Sequence, residues 1–171
     1  MDSIPDRRRT VPVRNCLVQN RGSGVSGQHF RHGSGRYPGA FRPGNRLCTQ
    51  LPGTPYKLGA AGPSRFDCSS YTSYVFKHFG YDITAYSAIQ FREGREVPNY
   101  RDLQKGDLVF FGKRGSVRNI GHVGIVVSID HETGSFTFIH ASVSKGVVEQ
   151  SFNHPYFMMR YMGARRILPD E

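Results

Sequence analysis

HVGIVVSIDHETGSFTFIHA, the stretch at residues 122–141, holds two runs of alternating side chains on either side of a polar segment. Residues 122–129 are rich in β-branched side chains, and residues 136–141 alternate aromatic, polar and aliphatic ones. Both patterns indicate strands, because successive side chains of a strand point to opposite faces. Residues 130–135 have turn composition, so we expect an antiparallel hairpin.

The alternation also predicts where the two histidines of this hairpin lie. His122 and Gly124 fall on the face opposite Val123 and Ile129, and His140 lies near the end of the second strand. If the strands pair, His122 at the start of one and His140 near the finish of the other come side by side. Gly124 would leave space beside them.

Working outward, the flanking segments predict helices first and strands afterwards. A helix is expected over residues 69–79, with Asp67 or Ser69 as its cap, because aromatic and aliphatic residues recur there at four-residue spacing. Weaker patterns predict a helix at residues 85–92 and strands at 107–111, 147–150 and 163–168. No βαβ unit repeats, so we expect an α+β fold in which N-terminal helices pack on an antiparallel sheet of about five strands.

Charge divides the chain into two parts. Residues 1–50 contain nine arginines, no lysine and two acidic residues, a formal charge of +7, whereas residues 51–171 carry only +3. The first part is rich in Gly and Pro and has no periodicity, so we interpret it as a disordered or anomalous tail, and one hypothesis is a reading-frame error upstream of Leu51. The folded domain is expected at residues 51–171. Because the arginines are not interleaved with aromatic residues, we expect no nucleic acid partner.

Several other classes are excluded by the same composition. No run approaches the ~20 apolar residues of a membrane span, and residues 1–20 show no apolar run of signal-peptide length. Three cysteines cannot close a disulfide framework, and no Cys/His cluster suggests zinc. We therefore expect no metal and no cofactor, and a monomer suffices.

Cys68 is the cysteine of the part that looks folded, and it lies where a helix should begin. The unpaired N–H groups and dipole of a helix start favour a thiolate, the nucleophilic form of cysteine. His122 could then take the thiol proton, and His140 could orient His122. The alternatives are a small buried apolar residue for Cys68 and a structural role for each histidine.

Five short motifs, in order, resemble a known family. They are Gly53-Thr54-Pro55-Tyr56, Phe66-Asp67-Cys68-Ser69-Ser70, the segment of residues 103–111 (LQKGDLVFF), Gly121-His122-Val123-Gly124-Ile125 and Phe138-Ile139-His140-Ala141-Ser142. Together they resemble the NlpC-type family of papain-like cysteine peptidases, which cut bacterial peptidoglycan. The resemblance runs from about Leu51 to Leu168.

This resemblance implies a papain-like core in which Cys68 is the nucleophile, His122 the general base and His140 the third polar residue. It implies that the substrate cleft is lined by Tyr56, Asp67, Ser69 and Ser87, with Asp67 meeting the free amino end of a stem peptide. Backbone N–H groups at the start of the Cys68 helix would bind the oxyanion.

The reaction implied is hydrolysis of the γ-D-glutamyl bond to the diamino acid of a peptidoglycan stem peptide, through an acyl-enzyme thioester. A periplasmic or secreted location in the cell envelope follows from such a substrate, although no signal sequence is visible. Two alternatives remain open: an amidase or acyltransferase on the same scaffold, and a non-catalytic wall-binding module.

Overall fold

The computed structural model describes residues 51–112 and 119–169, so the tail interpreted at residues 1–50 lies outside the described residues. Three helices are present in the described part: α1 (Cys68–His78), α2 (Ser87–Gln90) and α3 (Pro155–Arg160). Its strands are β1 (Arg95–Val97), β2 (Leu108–Gly112), β3 (Ile120–Asp130), β4 (Ser135–Ser142), β5 (Gly146–Ser151) and β6 (Tyr161–Arg166). A 3₁₀ turn covers Tyr100–Asp102. No helix in these two ranges is long and apolar enough to cross a membrane.

The strands form one antiparallel sheet in the order β1-β6-β2-β3-β4-β5. The expected hairpin is its β3-β4 pair, and the α+β class is confirmed. The sheet has six strands rather than about five, because Arg95–Val97 pairs with the last strand. Three residues are too few to give a readable alternation, which is why the sequence did not predict β1. Neither did it predict α3.

The first helix begins one residue earlier than predicted, and Asp67 is its cap. Oδ1 of Asp67 accepts the N–H of Ser70 at 2.8 Å, and Oγ of Ser70 accepts the N–H of Asp67 at 2.9 Å. This reciprocal pair is a capping box, which satisfies two backbone donors at the helix start. The cap therefore fixes the direction in which the backbone enters Cys68.

Both faces of the sheet are covered by apolar side chains. On one face, α1 packs through Tyr71, Val75 and Phe76 against the strand residues Leu108, Phe110, Val123, Ile125 and Ile139. On the other face, Phe157 of α3 packs with Val109, Phe111, Val126, Phe136 and Phe138. Cys68, at the start of α1, lies against the start of β3, which carries His122, and His140 lies near the end of β4.

One part of the predicted alternation is wrong. The pairing of β3 with β4 shifts register between Val126 and Ser128, so Ile129 pairs with Phe136. Ile129 consequently packs with the cluster of Val126 and Phe138, not on the face of Val123. A bulge adds one residue to a strand and reverses the faces beyond it. The faces of His122 and Gly124, which precede the bulge, are unaffected.

The first described segment is held against the edge strand β5. Gly53 donates its N–H to Val147 at 2.8 Å, and Val147 donates its N–H to Thr54 at 2.9 Å. Gly146 makes this approach possible because it has a φ of +69° and a Cβ there would meet the backbone of Thr54. Tyr56, two residues after Thr54, bridges to Phe66, so it is brought beside the entry to α1.

Candidate active site

Cys68 is the first residue of α1 and is 7% exposed. Its Sγ lies 3.8 Å from the carbonyl oxygen of Gly121, the residue that precedes His122 in β3. The contact joins residues 53 positions apart, and it depends on the helix cap on one side and on the register of the central strands on the other. The structure thus places the thiol at the start of the strand that carries His122.

The expected preference for a thiolate is wrong in its net direction. Burial raises the pKa of the Cys68 thiol, and the negative charge of Asp67 raises it further. Backbone N–H groups of Val123, Ser69 and Cys68 itself lower the pKa, as a helix start should, but they do not outweigh burial. Cys68 is therefore a neutral thiol in the free protein at neutral pH, surrounded by donors that stabilise its anion once it forms.

His122 and His140 meet as the hairpin predicts. Nε2 of His122 lies 2.6 Å from Nδ1 of His140, and the two rings are perpendicular, at 89° with centroids 4.7 Å apart. Gly124 makes room for this pair, because a Cβ there would meet the Phe138 ring, the Ile139 carbonyl and Cβ of His140. Since Nε2 of His122 is occupied, Nδ1 is the nitrogen left to face a second group.

Burial keeps both histidines neutral. It lowers the pKa of His122 to about 4. Burial, followed by the charges of His122 and Lys145, lowers the pKa of His140 to about 3. A neutral imidazole has one nitrogen that donates and one that accepts, so a pair in which His122 donates to His140 leaves Nδ1 of His122 as a base.

His140 is fixed in one orientation by its surroundings. It is 4% exposed, and the Phe138 and Phe157 rings lie against it at centroid distances of 5.1 and 5.6 Å. Its Nε2 is buried and has no hydrogen-bond partner among the residues that the structure describes. Among the described residues, the His140 ring therefore hydrogen-bonds through Nδ1, to His122.

Three of the four predicted substrate-binding residues gather around Cys68. Asp67 uses Oδ1 for the helix cap and accepts the N–H of Gly59 on Oδ2 at 2.9 Å. The pKa of the Tyr56 phenol is raised by burial and then by the charges of Cys68 and Asp67, which lie close to it. Oγ of Ser69 donates to the carbonyl of Ala85 at 2.8 Å.

The fourth, Ser87, is brought near only indirectly. It opens α2 two residues after Ala85, the residue that Ser69 holds. Within residues 51–112 and 119–169, no hydrogen bond joins the Ser87 side chain to Cys68. The hydrogen bond from Ser69 to Ala85 holds the segment that leads into α2, and Ser87 is the first residue of that helix.

Gln90 is a residue of this site that the sequence analysis missed. It is completely buried, accepts the Thr72 hydroxyl at 3.0 Å, and donates to the carbonyls of Ser69 and Thr84 at 3.0 and 2.5 Å. This one amide therefore ties the first turn of α1 to the segment that leads into α2. A glutamine on a weakly patterned short helix is ordinarily exposed, so its sequence position gives no signal.

In the described residues, no group of three or more His, Cys, Asp or Glu could hold a metal ion. The fold is that of a papain-like α+β protein, in which a cysteine opens a helix, its sulfur contacts the start of β3, and a histidine pair lies on the antiparallel sheet. The chain belongs to the NlpC/P60 family, whose model matches residues 53–166.

Named relatives agree with this assignment. The chain is 37% identical over 117 residues to a "Murein DD-endopeptidase MepS/Murein LD-carboxypeptidase" of Escherichia coli, covering 68% of this chain and 57% of that protein. It is 34% identical over 118 residues to a "Gamma-D-glutamyl-L-lysine dipeptidyl-peptidase" of Bacillus cereus, covering 68% of this chain and 33% of the relative. A solved NlpC/P60 family protein from Bacillus cereus superposes with a TM-score of 0.63 at 32% identity, covering 71% of this chain and 38% of that one. The chain thus spans little more than half of the Escherichia coli relative.

Proposed function

We propose that this protein is a cysteine endopeptidase that hydrolyses peptidoglycan stem peptides at the bond between γ-D-glutamate and the diamino acid. The observation that carries the proposal is the Cys68 thiol, buried against the start of β3 beside the His122 and His140 pair. The substrate class is supported by the murein-acting relatives. An enzyme with this substrate works in the cell envelope.

The reaction starts from a neutral thiol and a neutral imidazole. Nδ1 of His122 takes the proton of Cys68 while Sγ attacks the carbonyl carbon of the scissile amide. The tetrahedral intermediate collapses to a thioester, and the amine of the diamino acid leaves with the proton that His122 returns. Water then attacks the thioester and gives a proton to His122, the acyl half departs as a carboxylic acid, and His122 returns the proton to the Cys68 sulfur.

His140 acts through His122 and is a positioning residue. Its Nδ1 accepts the Nε2–H of His122, which selects the tautomer that leaves Nδ1 of His122 as the base. It also stabilises the imidazolium that forms transiently.

The start of α1 stabilises the developing negative charge. The N–H groups of Cys68 and Ser69 approach the sulfur closely enough to lower its pKa, and the oxyanion of the intermediate forms beside that sulfur. Fixed N–H donors at such a position need no reorganisation during the reaction.

The acyl half of the substrate lies on the side of Asp67, Tyr56, Ser69 and Ser87. Asp67 already accepts two backbone N–H groups, one on each oxygen, and a carboxylate has lone pairs for further donors. A free ammonium at the end of the stem peptide would satisfy them with a charge-assisted bond. Ser87 would contact the peptide from α2.

A second bond is a candidate because the Escherichia coli relative is named a DD-endopeptidase. The D-alanyl bond to a diamino acid joins two stems, and the same nucleophile and base would cut it. The scaffold would equally support an amidase or acyltransferase, and without chemistry it would serve as a wall-binding module.

One digestion separates these cases. The full chain is incubated with purified uncross-linked and cross-linked muropeptides, and the products are analysed by mass spectrometry. We expect one product to end in D-Glu and the other to carry a new amino terminus on the diamino acid. Cleavage confined to cross-linked dimers would move the assignment to the D-alanyl bond, and binding without any cleavage would leave a wall-binding module.

A further inference from the structure

A cleft of about 390 Å³ opens beside His122. It is bounded by the ends of β2 and β3 and by α3, with these lining residues: Phe111, Gly112, Asn119, Gly121, His122, Tyr156 and Arg160. Cys68, Tyr56, Asp67 and Ser69 are not among them. The cleft therefore shares with the site described above His122 and Gly121, whose carbonyl oxygen contacts the Cys68 sulfur.

The chemistry of the reaction says which part of a substrate this cleft would hold. His122 returns its proton to the leaving amine, so that amine must lie next to its ring. The acyl half occupies the side of Cys68 and Asp67. A cleft that contains His122 but not the nucleophile is thus placed to take the residue on the amine side of the scissile bond.

Among the described residues that line this cleft, Arg160 carries the positive charge. Its Cζ lies 4.5 Å from the centre of the Tyr156 ring, one helical turn earlier in α3. Stacking of this kind holds the planar guanidinium while leaving its edge N–H groups free to donate. In the described part of the chain, Arg160 pairs with no acid and no acidic side chain lines the cleft.

We propose that Arg160 forms a carboxylate-binding subsite for the diamino acid that leaves, an inference that rests on the proposed function. An arginine edge matches a carboxylate through two parallel N–H···O bonds. Diaminopimelate offers two sources of that group, since it bears a side-chain carboxylate that lysine lacks and a second one at the end of a stem tripeptide. The subsite thus selects diamino acids with a free carboxylate near the cleaved bond.

The kinetic test uses three forms of the tripeptide L-Ala-γ-D-Glu-meso-diaminopimelate: both carboxylates free, the side-chain carboxylate amidated, and the terminal one amidated. We expect the full chain to lose about tenfold in kcat/KM with one of the two amides, which identifies the group bound. Arg160→Gln should cleave all three equally, and Arg160→Lys should keep part of the preference. Met159→Gln, at the exposed neighbouring position of α3, should keep all of it. An undiminished preference in Arg160→Gln would overturn the subsite.

A binding measurement separates failure of the subsite from failure of the proposed function. In the full chain carrying Cys68→Ala, we expect the Nε–Hε NMR signal of Arg160 to shift on addition of meso-diaminopimelic acid and not of its diamide. If no tripeptide is hydrolysed by the unmodified chain but this discrimination holds, the subsite stands and the proposed reaction falls. If hydrolysis occurs but acid and diamide shift the signal alike, the reaction stands and the subsite falls.

Discussion

At neutral pH, Cys68 and His122 carry no charge, because burial raises the pKa of the thiol and lowers that of the imidazole to about 4. In the proposed reaction, proton transfer therefore begins within a neutral pair instead of from a preformed thiolate and imidazolium. As the proposed base, His122 must be unprotonated, so its pKa sets the acid limit of the expected activity.

We accordingly expect kcat/KM to hold as the pH falls and to decline only near about pH 4, with the apparent value belonging to the coupled histidine pair. A decline centred near 6.5, the ordinary histidine value, would contradict this account. Stability must be measured alongside. The unfolded chain binds protons at 6.5 while the folded one does not until about 4, so the free energy of unfolding falls as the pH drops through that window.

The contact between the histidines predicts different outcomes for two substitutions at His140. His140→Asn keeps an acceptor at the position of Nδ1 and should retain much of the activity, whereas His140→Ala should lose about a hundredfold in kcat. The ¹⁵N chemical shifts of His122 check the cause. They should report Nε2–H in the unmodified chain and in His140→Asn, and a mixture of tautomers in His140→Ala. Equal losses in the two variants with unchanged shifts would limit His140 to a packing role.

At the scale of elements, the distance between strands β3 and β4 determines where the histidine pair sits. Gly124→Ala should push His140 away, because the new methyl group would meet the Phe138 ring and the β4 backbone. We expect a loss of about 1–3 kcal/mol in unfolding free energy and a fall in kcat. Gly121→Ala is the matched control for the unfolding free energy in the same strand, since nothing lies within 4 Å of a Cβ there. Equal effects at the two glycines would count against this spacing argument.

The link between α1 and α2 depends on Gln90. Gln90→Met keeps the size of the side chain but removes its hydrogen bonds to the Thr72 hydroxyl and to the Ser69 and Thr84 carbonyls, so we expect a loss of about 1–3 kcal/mol and a rise in KM as the Ser87 segment loosens. Gln104→Met, at an exposed position, should change neither quantity. Chemical denaturation and steady-state kinetics measure both. An unchanged KM in a destabilised Gln90→Met would confine Gln90 to folding.

The elements that could be predicted from the sequence were those with a long pattern. The helix of residues 69–79 and the β3-β4 hairpin repeat their apolar spacing often enough to be recognised, and both are confirmed. The strand Arg95–Val97 and the helix Pro155–Arg160 are too short for that. The reversal at Ile129 depends on pairing register, which the alternation of one strand does not contain.

At the scale of the whole molecule, a buried ion pair ties the last strand to the second. Arg166 donates through Nε and an amino group to both oxygens of Asp107, each at 2.8 Å, and Asp107 also accepts the N–H of Gln104 at 2.7 Å. Arg166 lies in β6, and β6 is the one strand to which the edge strand β1 is hydrogen-bonded in the described sheet. Loss of one partner would leave a buried charge without compensation.

Arg166→Met should therefore lower the free energy of unfolding by about 3–5 kcal/mol. Arg165→Met is the matched control one residue away, because its partner Glu96 is 65% exposed and such a pair contributes about 1 kcal/mol or less. Thermal unfolding of both variants measures the difference. Similar losses at the two arginines would mean that the Asp107 pair does not hold the sheet.

The three candidate catalytic residues, which come from α1, β3 and β4, show how much of the candidate site could be predicted from the sequence. The positions of Cys68, His122 and His140 could be predicted because each is defined by its own element: a helix start, a strand start and a strand finish. Their catalytic roles stay predictions. The protonation of Cys68 could not be predicted, since it depends on how deeply the assembled sheet and helix bury the sulfur. Gln90 and Arg160 could not either, because their partners are set by tertiary packing.

The most direct test of the central claim is the rate at which the full chain carrying Cys68→Ala hydrolyses L-Ala-γ-D-Glu-meso-diaminopimelate, compared with Cys48→Ala as the thiol control. The account predicts that Cys68→Ala falls to the rate without enzyme while Cys48→Ala keeps the rate of the unmodified chain. Hydrolysis that survives in Cys68→Ala would contradict it.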